Sequence, residues 1–360
     1  MIPPPLPQKA LLWQRVRSWS HMAEGAVRHR LDPEWVPSPR VAYLLLTLRC
    51  NGRCLTCNSW KHTGHDDMTA DQWHAVFRQA RGLDIVKLLG GEPFVREDIL
   101  QILTDVREIV DPYILQVTTN GWATHTIVEA VERIGWPGLQ VRVSVDGDEA
   151  THDRVRGTVG LWAAATRTLE RLAELRPRLG FNLGINFAIK DESIDQAEAM
   201  LAYAERFGAD LVPGVNVTPF LDGSVPPEVR SQRFVALSDP RRALPLLEHD
   251  QAGVRRQLPG LDQVFSRPLT SRVFRRQIEE GRLDFPCRAL REILYVLPNG
   301  DVVRCGVDHT SVGNLKTQAL DDIWSGEASR LLREKVDRCP GCLQASIHIL
   351  SRFYTGRLWE

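Results

Sequence analysis

Three cysteines, Cys50, Cys54 and Cys57, form a C-x3-C-x2-C array just after an apolar run from Val41 to Leu48. Thiolates at that spacing, on a loop leaving a buried strand, can converge on one soft metal centre. Three of them hold three corners of a [4Fe-4S] cube and leave the fourth iron without a protein ligand, open to a small chelating molecule. The alternative is a zinc knuckle completed by His62 or His65, although structural zinc sites usually pair two such knuckles across a gap. Cys287, Cys305, Cys339 and Cys342 bring the total to seven. An odd number in a chain without a secretion signal argues against a disulfide framework. Taken alone, the four late thiols suit a structural zinc.

The array needs elements to hold it, and the sequence reads as a β-then-α rhythm. Strands are expected at Val41–Leu48, Ile85–Leu89, Tyr113–Thr118, Leu139–Val145, Phe181–Ile189 and Leu211–Val217. Helices are expected from Thr69-Ala70-Asp71-Gln72 to about Arg81, then over Glu97–Val110, Ala123–Ile134, Leu161–Leu175 (closed by Pro177) and Ile194–Phe207. Six β/α units with short links predict a parallel sheet, whose carboxyl rim is where such architectures place ligands. On that rim stand the cysteine array, Gly90-Gly91-Glu92-Pro93, Thr119-Asn120-Gly121 and Ser144-Val145-Asp146-Gly147. Glycine lets backbone run close to a ligand, and Asn186, mid-strand, needs a polar partner.

Residues 1–40 read as an N-terminal helix, Lys9–Leu31, with a proline-punctuated linker. Its apolar residues fall at helical spacing. It is expected to pack outside the core, with peripheral membrane contact as the less favoured reading. Residues 221–285 lose the rhythm and read as an Arg-rich helical connector. In 286–360, Pro298-Asn299-Gly300-Asp301 predicts a hairpin between Leu294–Leu297 and Val302–Cys305, and a helix follows over Leu320–Val336.

Composition is that of an ordinary globular chain: 360 residues, 43% hydrophobic, 25% charged and a formal net charge of zero. Zero net charge argues against a nucleic-acid binder that relies on bulk charge. No apolar run is long enough to span a bilayer and no signal peptide is evident, so a cytoplasmic protein is expected.

Taken together, C-x3-C-x2-C after the first strand and Gly90-Gly91-Glu92-Pro93 after the second resemble the radical S-adenosylmethionine (SAM) superfamily. The late residues Gly300-x4-Cys305, Gly313-Asn314-Leu315 and Cys339-x2-Cys342 resemble its SPASM or shorter twitch auxiliary-cluster module. The resemblance implies an α/β fold: a partial (β/α)6 TIM-like barrel over 41–220, followed by a small cysteine-rich auxiliary-cluster domain over 286–360. It implies two [4Fe-4S] clusters per chain, one on Cys50, Cys54 and Cys57 that binds SAM, the other on Cys287, Cys305, Cys339 and Cys342. SAM is then cleaved reductively to a 5'-deoxyadenosyl radical that abstracts a substrate hydrogen.

For SAM itself, the resemblance implies contacts from Gly90, Gly91, Glu92, Pro93, Thr119, Asn120, Ser144, Asp146 and Asn186. Within Thr151-His152-Asp153-Arg154-Val155-Arg156-Gly157 it assigns Arg156 to the SAM carboxylate, which a planar guanidinium suits. The chain departs from the family at Thr56, where an aromatic residue usually precedes the third cysteine; Trp60 is the nearest substitute. With all seven cysteines on iron, no thiol remains to return a hydrogen atom, so a net oxidation, dehydrogenation or crosslink, is expected. About forty residues before the barrel are few for a leader-binding domain, which favours a small-molecule substrate over a ribosomal peptide presented by a separate recognition partner. Flavodoxin or ferredoxin is the expected reductant. The competing class is a non-enzymatic zinc-binding interaction module.

Overall fold

The computed structural model describes residues 11–55, 57, 59–61, 64–215, 239–245, 275, 279, 287–306, 308–339, 350–352 and 354–355. Six parallel strands, β1 (Val41–Leu45), β2 (Ile85–Leu89), β3 (Ile114–Thr119), β4 (Leu139–Ser144), β5 (Asn182–Ile189) and β6 (Asp210–Val215), stand side by side in chain order. The late strands β7 (Ile293–Val296), β8 (Asp301–Val303) and β9 (Ser311–Asn314) extend the same sheet, giving the order β6-β5-β4-β3-β2-β1-β7-β8-β9. β7 lies parallel to β1, with Val41 opposite Ile293, and turns back through Gly300 (φ +90°) into antiparallel β8. Among the described residues β6 and β9 remain edges, so the sheet is an unclosed, partial barrel.

Helices fill the crossovers. They are α2 (Ala70–Gln79), α3 (Ile99–Asp105, continued as a π-helical turn to Val110), α4 (Thr124–Ile134), α5 (Glu149–Arg156), α6 (Leu161–Leu179) and α7 (Ala197–Arg206). α2 starts where the sequence predicts, with Thr69 and Gln72 capping each other's backbone N–H groups. The strand residues that face these helices, among them Leu44, Leu88, Leu115, Val143 and Ile185, are buried with Trp73 and Phe77 in the main core. On the other face Tyr43 and Tyr295 stack at 4.5 Å in a smaller core that also takes in Leu350 and Tyr354.

Three expectations change. Pro177 does not close α6; it lies inside the helix, which runs on to a left-handed Gly180. The helix expected over Leu320–Val336 is two, α8 (Leu320–Ser325) and α9 (Glu327–Asp337), broken at an extended Gly326. The N-terminal helix, α1 (Leu12–Leu31), packs on the barrel with Gln14, Ser18 and Gly25 inward, where its periodicity suggests an apolar contact; Met22 alone of that apolar set is packed on a described core. Most of the Arg-rich connector, Thr56, His62 and Cys342 lie outside the described residues.

Candidate functional site

The carboxyl ends of β1 to β5 surround a cavity of about 280 Å3. Cys50, Cys54 and Cys57 line it, and each sulfur meets a hydrogen-bond donor. Gly52 N–H donates to Cys50 Sγ at 3.3 Å and Ser59 N–H to Cys57 Sγ at 3.4 Å, while Arg156 Nη1 stands 4.0 Å from Cys54 Sγ. Donors aimed at sulfur stabilise thiolates and tune the clusters they bind. Left alone Cys50 stays protonated: burial, against the pull of the Gly52 N–H, pushes it up to about 12. Burial also raises Cys54, against the pull of Arg156. A positively charged metal cluster supplies what this pocket lacks. Gly52 lines the cavity, and a Cβ there would rest in ordinary contact with Cys50 Sγ and Cys54 Sγ, 3.7 Å from each.

Among the described residues no three His, Cys, Asp or Glu side chains converge closely enough to hold one metal ion. Three thiols whose sulfurs each meet a donor, lining one cavity, can hold three corners of a multi-iron cluster.

The glycine turn meets the cysteine loop through its backbone. Gly91 N–H donates to Thr47 O at 2.7 Å and Glu92 N–H to Arg49 O at 2.9 Å. A Cβ on Gly90 would lie 2.2 Å from Thr47 O, and one on Gly91 2.2 Å from Arg49 O. The missing side chains therefore make room for the β1 loop as well as for a ligand, and both glycines line the cavity. Glu92 and Pro93 do not line it. Glu92 is buried and ties the turn to the end of β3: Oε1 accepts from Phe94 N–H (3.1 Å) and Thr119 Oγ1 (2.8 Å), Oε2 from Asn120 N–H (2.6 Å). Burial still pushes its carboxyl up to about 7. Thr119 and Asn120 line the cavity, and Asn120 Nδ2 reaches Asn51 Oδ1 in the cysteine loop at 2.6 Å.

Opposite the cysteines, Asp146 is the hub of a buried ion cluster. Its Oδ2 stands 2.8 Å from Arg156 Nε and 3.2 Å from Lys190 Nζ, and its Oδ1 accepts from Ala188 N–H at 3.0 Å. Burial alone would raise this carboxyl, but Arg156 and Lys190 hold it well below the usual range. Its backbone N–H donates to His152 Nδ1 at 3.1 Å. Burial and the Arg156 charge lower His152 to about 4, so its ring is neutral with the proton on Nε2. Asp146 therefore holds Arg156 in place at the cavity.

Ser144 lines the cavity with Asp146 and Arg156, whereas Asn186, half-buried on β5, does not. Lys190 lines it too and was not singled out from the sequence, although its place just beyond the end of β5 is the rim position that marked Asp146. Helix α5, which carries His152 and Arg156, was also not foreseen; its Asp148 cap and left-handed Gly157 stop were the available signals. Thr118 Oγ1, also at the cavity, is buried without a partner among the described residues, as a site for a polar cofactor requires. Trp60 lines the mouth near the position where the family's aromatic would be.

The described late cysteines lie elsewhere. Cys287 precedes β7 and Cys305 follows antiparallel β8, so both lie at the amino end of the sheet, away from the Cys50–Cys57 loop. Cys305 Sγ accepts from Asp308 N–H at 3.3 Å, and Arg304 Nη2 stands 3.9 Å from Cys339 Sγ, repeating the pattern of donors on sulfur. Cys342 lies outside the described residues.

Comparison with known proteins agrees with this geometry. The family model described as Radical SAM superfamily matches residues 44–204, and the SPASM model, an iron-sulfur cluster-binding domain, matches 287–343. An AdoMet-dependent heme synthase of Methanosarcina barkeri is 27% identical over 82% of this chain and 85% of its own length. A PqqA peptide cyclase of Gluconobacter oxydans is 28% identical over 49% of this chain and 49% of its own. Streptococcus suis SuiB, solved bound to S-adenosylmethionine, shares the fold with a TM-score of 0.61 at 17% identity, over 86% of this chain and 71% of that one. SuiB is also solved with its precursor peptide SuiA.

Proposed function

We propose, from the premise that this chain carries a radical SAM domain followed by a SPASM iron-sulfur cluster-binding domain, that it oxidises a small-molecule substrate after hydrogen abstraction. The two domains imply [4Fe-4S] clusters and SAM as cofactors. Cys50, Cys54 and Cys57 would hold the first cluster; Cys287, Cys305, Cys339 and Cys342 would hold an auxiliary one. Together the first cluster and SAM supply reductive cleavage of the sulfonium and abstraction of a substrate hydrogen atom.

The chain's own residues prepare that chemistry. Arg156, held by Asp146 beside Cys54, would fix the SAM carboxylate in a charge-assisted bond. Lys190 keeps the buried Asp146 charge compensated. Gly90 and Gly91 lock the turn onto the cysteine loop, and Leu45, Leu89 and Leu161 give the cavity apolar walls. The observation that carries the proposal is this convergence of three donor-tipped thiols and an anchored guanidinium on one cavity.

Oxidation is supported by the cysteine count, since seven divide into three and four with no hydrogen-donating thiol left over. A small molecule is supported by the heme synthase, the relative matched over most of both chains. The second reading, a peptide modifier working with a separate recognition partner, is supported by the PqqA cyclase match and by the shared fold with SuiB. The electron donor would be a flavodoxin or ferredoxin.

The test is anaerobic reconstitution, then dithionite and SAM, with 5'-deoxyadenosine measured by chromatography. Its formation by the wild type and its loss in Cys54→Ala are expected. Protein that takes up zinc but no iron or sulfide, or a Cys54→Ala variant of undiminished rate, would overturn the proposal.

A further inference from the structure

Helix α1 is mounted inside out. Its inward face is mostly polar, Met22 aside, and is fixed by hydrogen bonds: Gln14 Nε2 donates to Asp111 Oδ2 at 2.8 Å, and Arg17 Nη2 to Asp111 O at 2.7 Å. His21 Nδ1 lies 3.0 Å from Asp84 Oδ2 and His29 Nε2 2.8 Å from Glu292 Oε1. Gly25 sits so close to Tyr354 that a Cβ would fall 2.3 Å from its carbonyl oxygen. These contacts are specific and leave no freedom to roll the helix over.

The outward face is apolar. Leu12, Val16, Ala23, Val27 and Leu31 recur at steps of four or seven residues, on one side of a helix with 3.6 residues per turn. Leu12 is 49% exposed, Val16 45%, Val27 58% and Leu31 79%, with Trp13 beside them at 80%. A stripe of this kind, about 30 Å long, is what water-facing helices avoid and what interaction surfaces display. Its charges are one-sided. Arg28 and Arg30 flank it, both exposed, and the single acid of the helix, Glu24, is paired with Arg40 at 3.3 Å.

From this arrangement we infer that α1 is an interfacial anchor that lays its apolar face into the surface of an anionic lipid bilayer. Basic residues flanking an apolar face with an exposed tryptophan are the chemistry such a surface recognises. No described helix is long and apolar enough to cross a membrane, so the helix lies on the bilayer. It also lies at the amino end of the sheet: its partners Asp84, Asp111 and Glu292 directly precede or lie close before β2, β3 and β7. The anchored face therefore points away from the cysteine cavity, whose rim is left toward water.

The experiment uses the full chain, anaerobically reconstituted, sedimented with sucrose-loaded vesicles of phosphatidylcholine alone or mixed with phosphatidylglycerol. Two variants accompany it, Leu12→Ser/Val16→Ser/Val27→Ser/Leu31→Ser and Arg28→Glu/Arg30→Glu. Both change exposed positions, and an unchanged far-ultraviolet spectrum and 5'-deoxyadenosine yield certify the fold. Wild type is expected to bind the anionic vesicles at least about tenfold more than the neutral ones, and both variants are expected to lose that binding. Absence of binding by wild type, or equal binding by the serine variant, overturns the inference. So does a wild-type dimer that the serine variant dissolves without any vesicle binding, which would assign the face to a second copy of the chain.

Discussion

Replacing Asp146 by asparagine tests whether the buried ion cluster is what aims Arg156. The change is nearly isosteric, and the remaining amide oxygen can still accept from Ala188 N–H, which lies 3.0 Å from Oδ1. What disappears is the negative charge 2.8 Å from Arg156 Nε and 3.2 Å from Lys190 Nζ. Asp146 and Lys190 side chains are each 1% exposed, so water cannot replace it. Removing one partner of a buried ion pair costs about 3–5 kcal/mol. The lower end applies here, because Arg156 keeps the Cys54 sulfur nearby. About 3 kcal/mol is a large share of the usual 5–15 kcal/mol of folding stability.

The assay is urea unfolding under argon, with Asp148→Asn as a surface control that preserves a good helix cap. On the reconstituted protein, SAM affinity is then measured by equilibrium dialysis. A charge-assisted hydrogen bond contributes about 1.5–3 kcal/mol, so losing it weakens binding about ten- to a hundredfold. Stability within about 1 kcal/mol of wild type, together with SAM affinity unchanged within about twofold, would refute the reasoning.

Gly91→Ala should destabilise by about 3 kcal/mol or more and prevent stable cluster loading, since its Cβ would meet backbone at 2.2 Å; iron content after desalting reads this. Gly160→Ala, whose Cβ meets nothing within 4 Å but whose φ is +79°, should cost only about 1 kcal/mol by urea titration. Cys54→Ala and Cys305→Ala should each halve iron and sulfide roughly, with only the first abolishing SAM binding. His152, lowered to about 4 by burial and Arg156, stabilises the fold when neutral. That contribution is complete above about pH 6.5, where the unfolded imidazole is also neutral, and is lost as pH falls toward 4, by about 3 kcal/mol. His152→Gln should flatten the slope of urea stability between pH 7 and 5.

Local rules made much of the molecule legible. The rhythm of apolar strands and capped helices places β1 to β6 within a few residues, because each strand is buried on its helix-facing side and each turn carries its own punctuation. The rim residues stood out for the same reason: a parallel sheet leaves loops only at its strand ends. Helix α5 escaped because its eight residues, Glu149–Arg156, are largely polar and give no apolar stripe to read.

The sequence by itself determined the chemistry: seven thiols in two groups, a glycine turn, and an arginine at the stop of a short motif. Tertiary structure alone decided what those groups touch. Lys190 joins Asp146 across 44 residues, and Cys54 meets Arg156 across 102. Periodicity showed that α1 has an apolar and a polar face, but only the positions of Asp84, Asp111 and Glu292 turned the polar one inward. Pairings between distant residues follow from where strands end in space, and no local pattern encodes that.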